Sequence, residues 1–331
     1  MRKLLTVTIL TLILSANLVA QNPNLGTAGA QFLKIPVGAR AAGMGGAIIG
    51  MTNDASAVFW NPAGIANVRS NGVHFSHMNW FEFFNLNAVS YAINTGNIGA
   101  FGIGAVTFGM DEMEMTTELE PNGTGRTFDA QDLALSLSYS RNLTDKFRVG
   151  LTGKYIHQRI WNETSAGVAF DVGTQYQIDF QNLVLSMSMM NFGPDLKMEG
   201  PDLNIQYDEN ANYPNRLVPA KLETESYPLP LLFKFGIAVD VINTPFMKIQ
   251  ADVDAIHPND NDEQIYVGTE FGFMQRFFLR GGYKFNHDDE QYSFGLGVNS
   301  KFASTLVQID YAYAGYNLLP DVHFITMNLT F

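Results

Sequence analysis

The residues that could carry out catalysis or bind a metal are scattered along the chain. Of its six histidines, His74 and His77 are three residues apart, which places them on opposite faces of a strand and makes them a poor metal-binding pair. The acidic segment 257–263 lacks the twelve-residue spacing of an EF-hand, which favours a solvated loop over a cation site. Because there is also no cysteine, nucleophile elbow or triad arrangement, we predict no metal site, no cofactor and no enzymatic activity.

Charged residues also occur within segments that read as strands, on the face opposite to the apolar residues. Asp252 and Asp254 share such a face, so a carboxylate pair is conceivable, but a polar network with basic residues is the simpler interpretation. We expect Arg40, from the N-terminal part of the chain, to join this network through a carboxylate of Asp252, Glu270 or Asp310. The predicted network consists of Lys234, Lys248, Asp252, Asp254, Glu270, Arg280 and Asp310.

The strands that must position these residues are indicated by alternation of apolar and polar side chains. In the last strand the two kinds alternate as Ile325, Thr326, Met327, Asn328, Leu329, Thr330 and Phe331. An ordinary edge strand of a soluble sheet also alternates, but a final aromatic residue is typical of outer-membrane barrels, whose last strand closes the cylinder. We therefore expect Phe331 to carry the signal that the barrel assembly machinery reads.

About fourteen such strands follow residue 71, which predicts an all-β fold, a transmembrane antiparallel β-barrel over residues 71–331. Its apolar face would meet outer-membrane lipid and its polar face a lumen. Short turns alternate with longer connections, the longest at 110–131 and 194–228, so both termini are expected in the periplasm. Aromatic residues near strand ends would form girdles at the membrane interfaces: Trp80, Phe81, Phe83, Phe84, Trp161, Tyr313 and Tyr316.

The composition restricts the class of protein. Only 16% of the residues are charged, against roughly 25% in soluble proteins, and the net charge is −12. The acidic balance leaves no basic surface for nucleic acid. Residues 1–20 have the basic start and short apolar run of a secretory signal peptide, and no later stretch is long and apolar enough for a membrane helix. Export to the bacterial outer membrane is the expected localisation.

Residues 21–70 differ from the rest because small residues dominate them. Asn61 followed by Pro62 predicts a helix start, since asparagine caps the first turn and proline fits its first position. The glycines do not form a phosphate-binding loop, because the Lys-Ser/Thr ending and a βαβ setting are absent. We interpret this segment as a compact plug. Its predicted motif consists of Arg40, Gly43, Gly45, Gly46, Asp54, Trp60, Asn61, Pro62, Ala63 and Gly64.

The run from Phe32 to Gly46, continued by residues 54–57 and 60–64, resembles the N-terminal signature of the PorV/PorQ family, within the wider FadL-like group of outer-membrane proteins. The sharp resemblance covers only this part, whereas length, signal peptide and strand count agree over the whole chain. It implies a fourteen-stranded barrel with an N-terminal plug. It also implies, for the best-known members, a role in type IX secretion, in which the barrel binds or shuttles secreted cargo together with components of the secretion system.

Two main functions therefore remain open. A secretion-associated barrel would bind protein cargo at the cell surface through the connection 194–228, with Leu203, Ile205, Tyr207, Tyr213 and Leu217 as candidate contacts. The alternative is a FadL-like channel for fatty acids or other hydrophobic small molecules, which would require an apolar pocket between the outer loops and the plug. A passive structural barrel is a third, less specific possibility.

Overall fold

A computed structural model of the chain describes residues 24–68, 70–81, 83–208 and 217–331. The predicted signal peptide, residues 1–20, and Tyr213 of the predicted partner loop lie outside the described residues.

Fourteen antiparallel strands form a closed barrel, which confirms the predicted all-β class and strand number. The alternation of apolar and polar residues predicts a strand start at Gly167, but that strand begins at Glu163, because Glu163 pairs with Ile160 across a two-residue turn. In order round the wall, the barrel strands are β1 (Gly72–Trp80), β2 (Phe84–Asn94), β3 (Ala100–Met110), β6 (Ala130–Asn142), β7 (Phe147–Ile160), β8 (Glu163–Ile178), β9 (Leu183–Phe192), β14 (Leu232–Asn243), β15 (Met247–Pro258), β16 (Gln264–Phe273), β17 (Phe277–Phe285), β18 (Glu290–Phe302), β19 (Thr305–Tyr316) and β20 (Val322–Thr330).

The two longest connections contain short strands of their own. These strands pair as three two-stranded sheets. The described part of 194–228, which we expected to be a long loop, therefore contains paired strands of its own, and we call it the excursion after β9. Alternation of Ile205 and Tyr207 with polar neighbours provides the strand pattern there. The pairs are β4 (Met113–Glu114) with β5 (Thr127–Phe128), β10 (Leu196–Lys197) with β13 (Ser226–Tyr227), and β11 (Asn204–Asp208) with β12 (Leu217–Lys221).

Helices are short in the described part of the chain. Two are α-helical, Ala39–Gly43 and Ala57–Trp60. The remainder are 3-10 turns at Gln31–Lys34, Pro62–Asn67, Gly96–Ile98, Phe180–Asn182 and Pro201–Leu203. No helix among the described residues is long and apolar enough to cross a membrane.

The two faces of the barrel wall differ in chemistry. Inward positions are polar or small, as with the fully buried Ser140 and Asp252. Outward positions are large and apolar, so that Leu137 is 64% and Phe294 59% exposed. A surface of this kind inverts the arrangement of a soluble protein and matches the lipid-facing belt of a membrane barrel.

The barrel closes between its first and last strands. β1 pairs with β20 from Gly72 opposite Thr330 to Asn79 opposite His323, and the Phe331 N–H donates to the Asn71 carbonyl oxygen at 3.0 Å. β20 also pairs with β19 along its whole length. The last residues of the chain therefore hydrogen-bond to strands on both sides of the closing seam.

Deletion of Leu329 to Phe331 is expected to prevent assembly of the barrel. The deletion removes the strand-pairing partners of Gly72 and Val73 in β1 and of Leu306 and Val307 in β19. Backbone N–H and C=O groups at the seam would then have no hydrogen-bond partner in the membrane. Heat-modifiable mobility of the protein in a gel measures assembly. Leu329→Ala, which retains every backbone hydrogen bond, is the control and should assemble. Normal yields of folded barrel from the truncated chain would contradict this account of closure.

Candidate functional site

The N-terminal segment, residues 24–68, packs against inward faces of the barrel strands through glycine. A Cβ placed on Gly282 of β17 would lie 2.1 Å from the Gly45 nitrogen, and one on Gly150 of β7 would lie 2.3 Å from the Pro62 carbonyl carbon. Gly45 also has φ of +65°, which disfavours any other residue. Backbone therefore meets backbone at these points, and only glycine allows the approach.

Other residues of the predicted plug motif make similar close contacts. Gly43 lies against the backbone of Gly295, Gly64 lies against Thr52, and Gly46, at φ of +80°, lies beside the Tyr266 ring. The carbonyl oxygen of the fully buried Ala63 accepts a hydrogen bond from Ser140 at 3.2 Å.

Asn61 and Pro62 begin a helical turn as predicted, here a 3-10 helix. The Asn61 side-chain oxygen accepts from the Ala63 N–H at 3.1 Å. Its Nδ2 donates to the carbonyl oxygens of Ile49 and Thr174, at 3.2 and 3.3 Å. One side chain thus caps the turn and joins it to the wall.

Four of the predicted charged residues form a continuous buried chain, which we call the arginine–carboxylate chain: Arg40, Glu270, Arg280 and Asp310. Arg40 donates two hydrogen bonds of 3.0 Å to the Glu270 carboxylate. Arg280 donates to Glu270 at 2.6 Å and to Asp310 at 2.7 Å. The side chains of Arg280 and Asp310 are fully buried, and Glu270 is nearly so. Arg40 therefore joins the N-terminal segment to β16, and through Arg280 to β17 and β19.

Asp252 and Asp254 take a different role from the predicted ion pairing. Asp254 accepts backbone N–H groups of Ile48 and Ile49, at 3.0 and 3.3 Å, and Asp252 accepts that of Gly50, at 3.1 Å. Both carboxylates are fully buried. Lys248, which we expected beside them, lies 3.4 Å from Asp240 instead. The predicted network is thus divided into the arginine–carboxylate chain and this separate aspartate pair, because backbone amides rather than cations contact Asp252 and Asp254.

Two further acidic residues contact the N-terminal segment: Asp54 lies within it, and Asp260 follows β15. Asp54 accepts the Ser56 N–H at 2.9 Å and lies 3.7 Å from the Arg40 guanidinium. Asp260, expected in a solvated loop, is only 3% exposed, because it pairs with Lys34 at 3.0 Å. Gln31 donates to the same carboxylate at 2.6 Å.

A cavity of about 410 Å³ lies between the N-terminal segment and the ends of several strands. Its walls combine aromatic and aliphatic side chains with polar and charged ones, among them Lys34, Lys234, Lys284, Asp289 and Glu290. An apolar pocket with convergent polar groups is typical of small-molecule binding sites. The apolar lining includes Phe32, Ile35, Trp60, Trp80, Phe81, Phe108, Leu232, Tyr266 and Tyr316.

Three of these aromatic residues correct a prediction. Trp80, Phe81 and Tyr316 were assigned to interfacial girdles, but they line this cavity and contact one another. The ring centroids are 4.5 Å apart for Trp80 and Phe81 and 5.3 Å apart for Phe81 and Tyr316. Trp80 shares the inward face of β1 with Met78, and Tyr316 shares that of β19 with Ala314, so the alternation of the strands turns both rings toward the interior.

Among the lysines that line this cavity, Lys234 of β14 is the one that forms no ion pair with a described residue. It is 5% exposed, and within the described residues no carboxylate lies within ion-pairing distance of it. Its Nζ instead sits 4.8 Å from the centroid of the Trp60 ring, a cation–π contact. The Trp60 Nε1 donates to the Val37 carbonyl oxygen at 2.9 Å, so the ring is fixed in place.

The other basic groups of the cavity are neutralised. Lys34 pairs with Asp260, and Lys284 pairs with Glu290. Burial, together with the nearby Lys284 ammonium, lowers the pKa of His287 to about 4, so this imidazole carries no charge at neutral pH. Lys284 and Glu290 were absent from the predicted network, although Lys284 follows Arg280 by four residues on the same inward face.

The remaining candidates lie elsewhere. A second cavity of about 850 Å³ opens at the opposite end of the barrel, and its polar lining includes several amides together with Arg148, Lys248, Asp54 and Asp240. Leu203 and Ile205 are half-buried in the excursion after β9, whereas Tyr207 and Leu217 are 57% and 58% exposed. His74 faces inward and His77 outward, as their spacing predicts. In the described ranges no three His, Cys, Asp or Glu side chains converge as metal ligands.

Several solved structures with a similar fold are transporters or channels. A Pseudomonas aeruginosa FadL homologue aligns with a TM-score of 0.56 and 10% identity, over 90% of this chain and 98% of its own. The toluene transporter TbuX of Ralstonia pickettii gives 0.57 and 12%, over 89% and 98%. The toluene transporter TodX of Pseudomonas putida gives 0.57 and 11%, over 88% and 96%. At these identities the likeness concerns the fold.

The sequence itself is matched by one family model. No curated protein sequence matches the chain significantly. The model of uncharacterised protein family UPF0164 matches residues 15–330, nearly the whole chain. The chain therefore belongs to family UPF0164.

Proposed function

We propose that this protein is an outer-membrane channel for hydrophobic small molecules. In this proposal residues 1–20 are the signal peptide, residues 21–70 are a plug inside the barrel, and residues 71–331 are the membrane barrel, with both termini in the periplasm. The apolar outer belt supports the location, since such a surface is stable only against lipid. The contacts of residues 24–68 with the inner wall support the plug.

The aromatic cavity is the observation that carries the proposal. It is bounded by the N-terminal segment and by strand ends, so a molecule bound there would rest directly on the plug. Its volume suits one small apolar ligand. The transport of toluene by TbuX and TodX, which share this fold, is consistent with a ligand of that general kind.

Lys234 narrows the class of ligand. A buried ammonium without a directly bonded carboxylate is costly. Asp254 and Asp171 attract it only from a distance, and an anionic group on a ligand would lower the remaining cost. The cavity therefore suits an apolar molecule with one acidic group, such as a fatty acid, better than a neutral hydrocarbon. The aromatic walls would hold the apolar body and Lys234 the acidic group.

Binding of dodecanoate and of dodecanol by the folded barrel in detergent tests this function. We expect the wild-type protein to prefer dodecanoate, and Lys234→Met to weaken dodecanoate binding roughly tenfold to a hundredfold, the value of a hydrogen bond to a charged group. Dodecanol binding should change little. Fluorescence of Trp60 and Trp80, which both line the cavity, reports binding.

Lys248→Met is the matched control, because Lys248 pairs with Asp240 in the opposite cavity. Its affinity for dodecanoate should equal that of the wild type. Equal affinity of the wild type for the two probes would refute the acidic class of ligand. Failure to bind either probe would refute the channel proposal itself.

A PorV/PorQ-like role in type IX secretion is a second candidate. It is favoured by the β11–β12 hairpin, which exposes Tyr207, Leu217 and Val218 and would offer apolar contacts to a secreted cargo protein. We rank it below the channel, because the toluene transporters TbuX and TodX share this fold.

A further inference from the structure

The short connections at one end of the barrel share an exposed apolar residue. Six of them lie at the end where the chain terminates, after β2, β6, β8, β14, β16 and β18. At each one a large apolar side chain is between 49% and 80% exposed. We call these residues the turn ring: Ile98, Leu143, Phe180, Phe246, Met274 and Phe302.

The turn ring continues the apolar outer face of the wall. Phe302 ends β18 and lies on the same outward face as Leu296 and Val298, which are 54% and 49% exposed. Leu143 directly follows β6, in step with the outward-facing Tyr139. The apolar surface therefore extends along the strands to the turns themselves.

The turn ring surrounds the barrel. Its six connections join every pair of neighbouring strands at this end other than β20 and β1, which meet at the closing seam. Phe331, beside the seam, is 52% exposed as well. Single exposed apolar residues are common on protein surfaces, but one at each turn around the circumference makes an apolar rim. A partner that covers this rim must encircle the barrel.

Basic residues accompany the rim. Lys146 and Asp179 form an exposed ion pair between neighbouring turns and neutralise each other. Asp145 is exposed nearby and has no ion pair with a described residue. Three exposed basic residues likewise form no ion pair with a described carboxylate, so cations outnumber acids among the unpaired groups of this end. They are Arg141, Arg276 and Lys301.

The opposite end of the barrel carries the opposite charge. The connection 111–129 alone contains six acidic residues and one basic residue, Arg126. An anionic surface is therefore attracted to the end that carries the turn ring and repelled by the other end.

We propose that the turn ring is embedded in the headgroup layer of an anionic phospholipid leaflet. The apolar side chains lie at the boundary between headgroups and acyl chains, and Arg141, Arg276 and Lys301 bind lipid phosphates. Apolar residues beside basic ones are typical of protein surfaces that lie in such a layer. The inference rests on the membrane location proposed above, to which it adds the class of lipid, and it is independent of the channel ligand.

A lipid leaflet fits the rim better than a protein partner does. A protein docks on a compact patch of roughly 800 Å², whereas the turn ring is divided among turns on all sides of the barrel. A leaflet surrounds a membrane barrel and presents phosphates to every turn. It therefore covers the apolar side chains and neutralises the unpaired cations together.

Spin labels test the depth of the turn ring. The chain contains no cysteine, so Phe180→Cys and Phe302→Cys can each carry a single nitroxide. In vesicles both labels should be relaxed more by oxygen, which concentrates in lipid, than by a water-soluble nickel chelate. Leu296→Cys, in the middle of β18, is the lipid-facing control. Leu119→Cys changes a residue that is 94% exposed in the connection 111–129 and is the water-facing control.

Lipid composition tests the role of the charges. The barrel is unfolded with urea at low ionic strength in vesicles of phosphatidylcholine, alone or mixed with phosphatidylglycerol. We expect phosphatidylglycerol to lower the unfolding equilibrium constant of the wild type at least about fivefold, the usual contribution of one cation near an anionic surface. Combined Arg141→Gln, Arg276→Gln and Lys301→Gln should abolish this gain.

The control for charge is a second triple variant. Combined Arg126→Gln, Lys197→Gln and Lys221→Gln removes the same net charge from exposed residues at the other end and should retain the gain from phosphatidylglycerol. Loss of the gain in this control, or its retention in the first triple variant, would overturn the assignment of anionic lipid to the turn end.

The spin labels separate failure of this inference from failure of the membrane location. Labels at Phe180 and Phe302 that are as accessible to the nickel chelate as the Leu119 label would overturn the embedding of the turn ring. If the Leu296 label then still lies in lipid, this inference alone is wrong. If the Leu296 label also lies in water, the proposed membrane location is wrong too.

Discussion

An Arg280→Met variant is expected to lose roughly 3–5 kcal/mol of folding free energy, the usual cost of breaking a buried ion pair by removal of one partner. Arg280 joins Glu270 to Asp310 in the arginine–carboxylate chain, and its side chain is fully buried. Glu270 would keep Arg40, whereas Asp310 would keep, among the described residues, only the Gln308 amide, at 2.8 and 3.0 Å. A buried carboxylate would then lack its cation. Urea titration of the barrel in detergent or vesicles measures the loss.

Two further variants test the cause of this loss. Arg280→Met combined with Asp310→Leu removes both charges, and we expect it to regain much of the lost stability, because an apolar pair of similar size replaces a buried ion pair at little cost. Lys146→Met breaks an exposed pair with Asp179 in a turn and should leave the urea midpoint unchanged. Equal effects of Arg280→Met and Lys146→Met on the urea midpoint would show that burial of the arginine–carboxylate chain adds nothing to the folding free energy.

A Gly282→Leu variant is expected to assemble a barrel that no longer holds its N-terminal segment in place. A Cβ at residue 282 would lie 2.1 Å from the Gly45 nitrogen and 2.2 Å from the Met44 carbonyl carbon, so the backbone of the segment must move. Overpacking of this kind costs about 1–3 kcal/mol or more. The measurements are protease cleavage within residues 40–60 and the conductance of the reconstituted barrel, and both should increase.

Gly281→Leu is a closely matched control, because it changes the adjacent residue on the other face of the same strand. A Cβ there meets no atom within 4 Å, so cleavage and conductance should stay at wild-type values. Gly45→Trp approaches the same contact from the segment and should reproduce the effect of Gly282→Leu, with added strain from the positive φ of Gly45. Unchanged resistance and conductance in both variants would contradict the placement of residues 24–68 as a plug.

Local patterns in the sequence determined the barrel. Alternation along each strand predicted fourteen strands, because a side chain on a pleated strand has only two directions and each direction meets one environment. The helical turn at Asn61 and Pro62 was equally predictable, because its cap is formed by residues two apart. The outward and inward faces of His77 and His74 follow from the same rule.

The tertiary structure alone decided which charges and rings meet. Arg40 pairs with Glu270 and not with Asp252, because backbone amides of residues 48–50 occupy the inner face of β15. No local spacing in the sequence predicts the path of the N-terminal segment that brings these amides there. Trp80 and Tyr316 lie on the inward faces that alternation gives them, but their contacts with Phe81 around one cavity depend on the fold. Lys234 was left without a carboxylate because its acidic neighbours bind other groups. Pairing over long sequence separations depends on the registers of all fourteen strands and the route of residues 24–68 between them, which no single stretch of sequence contains.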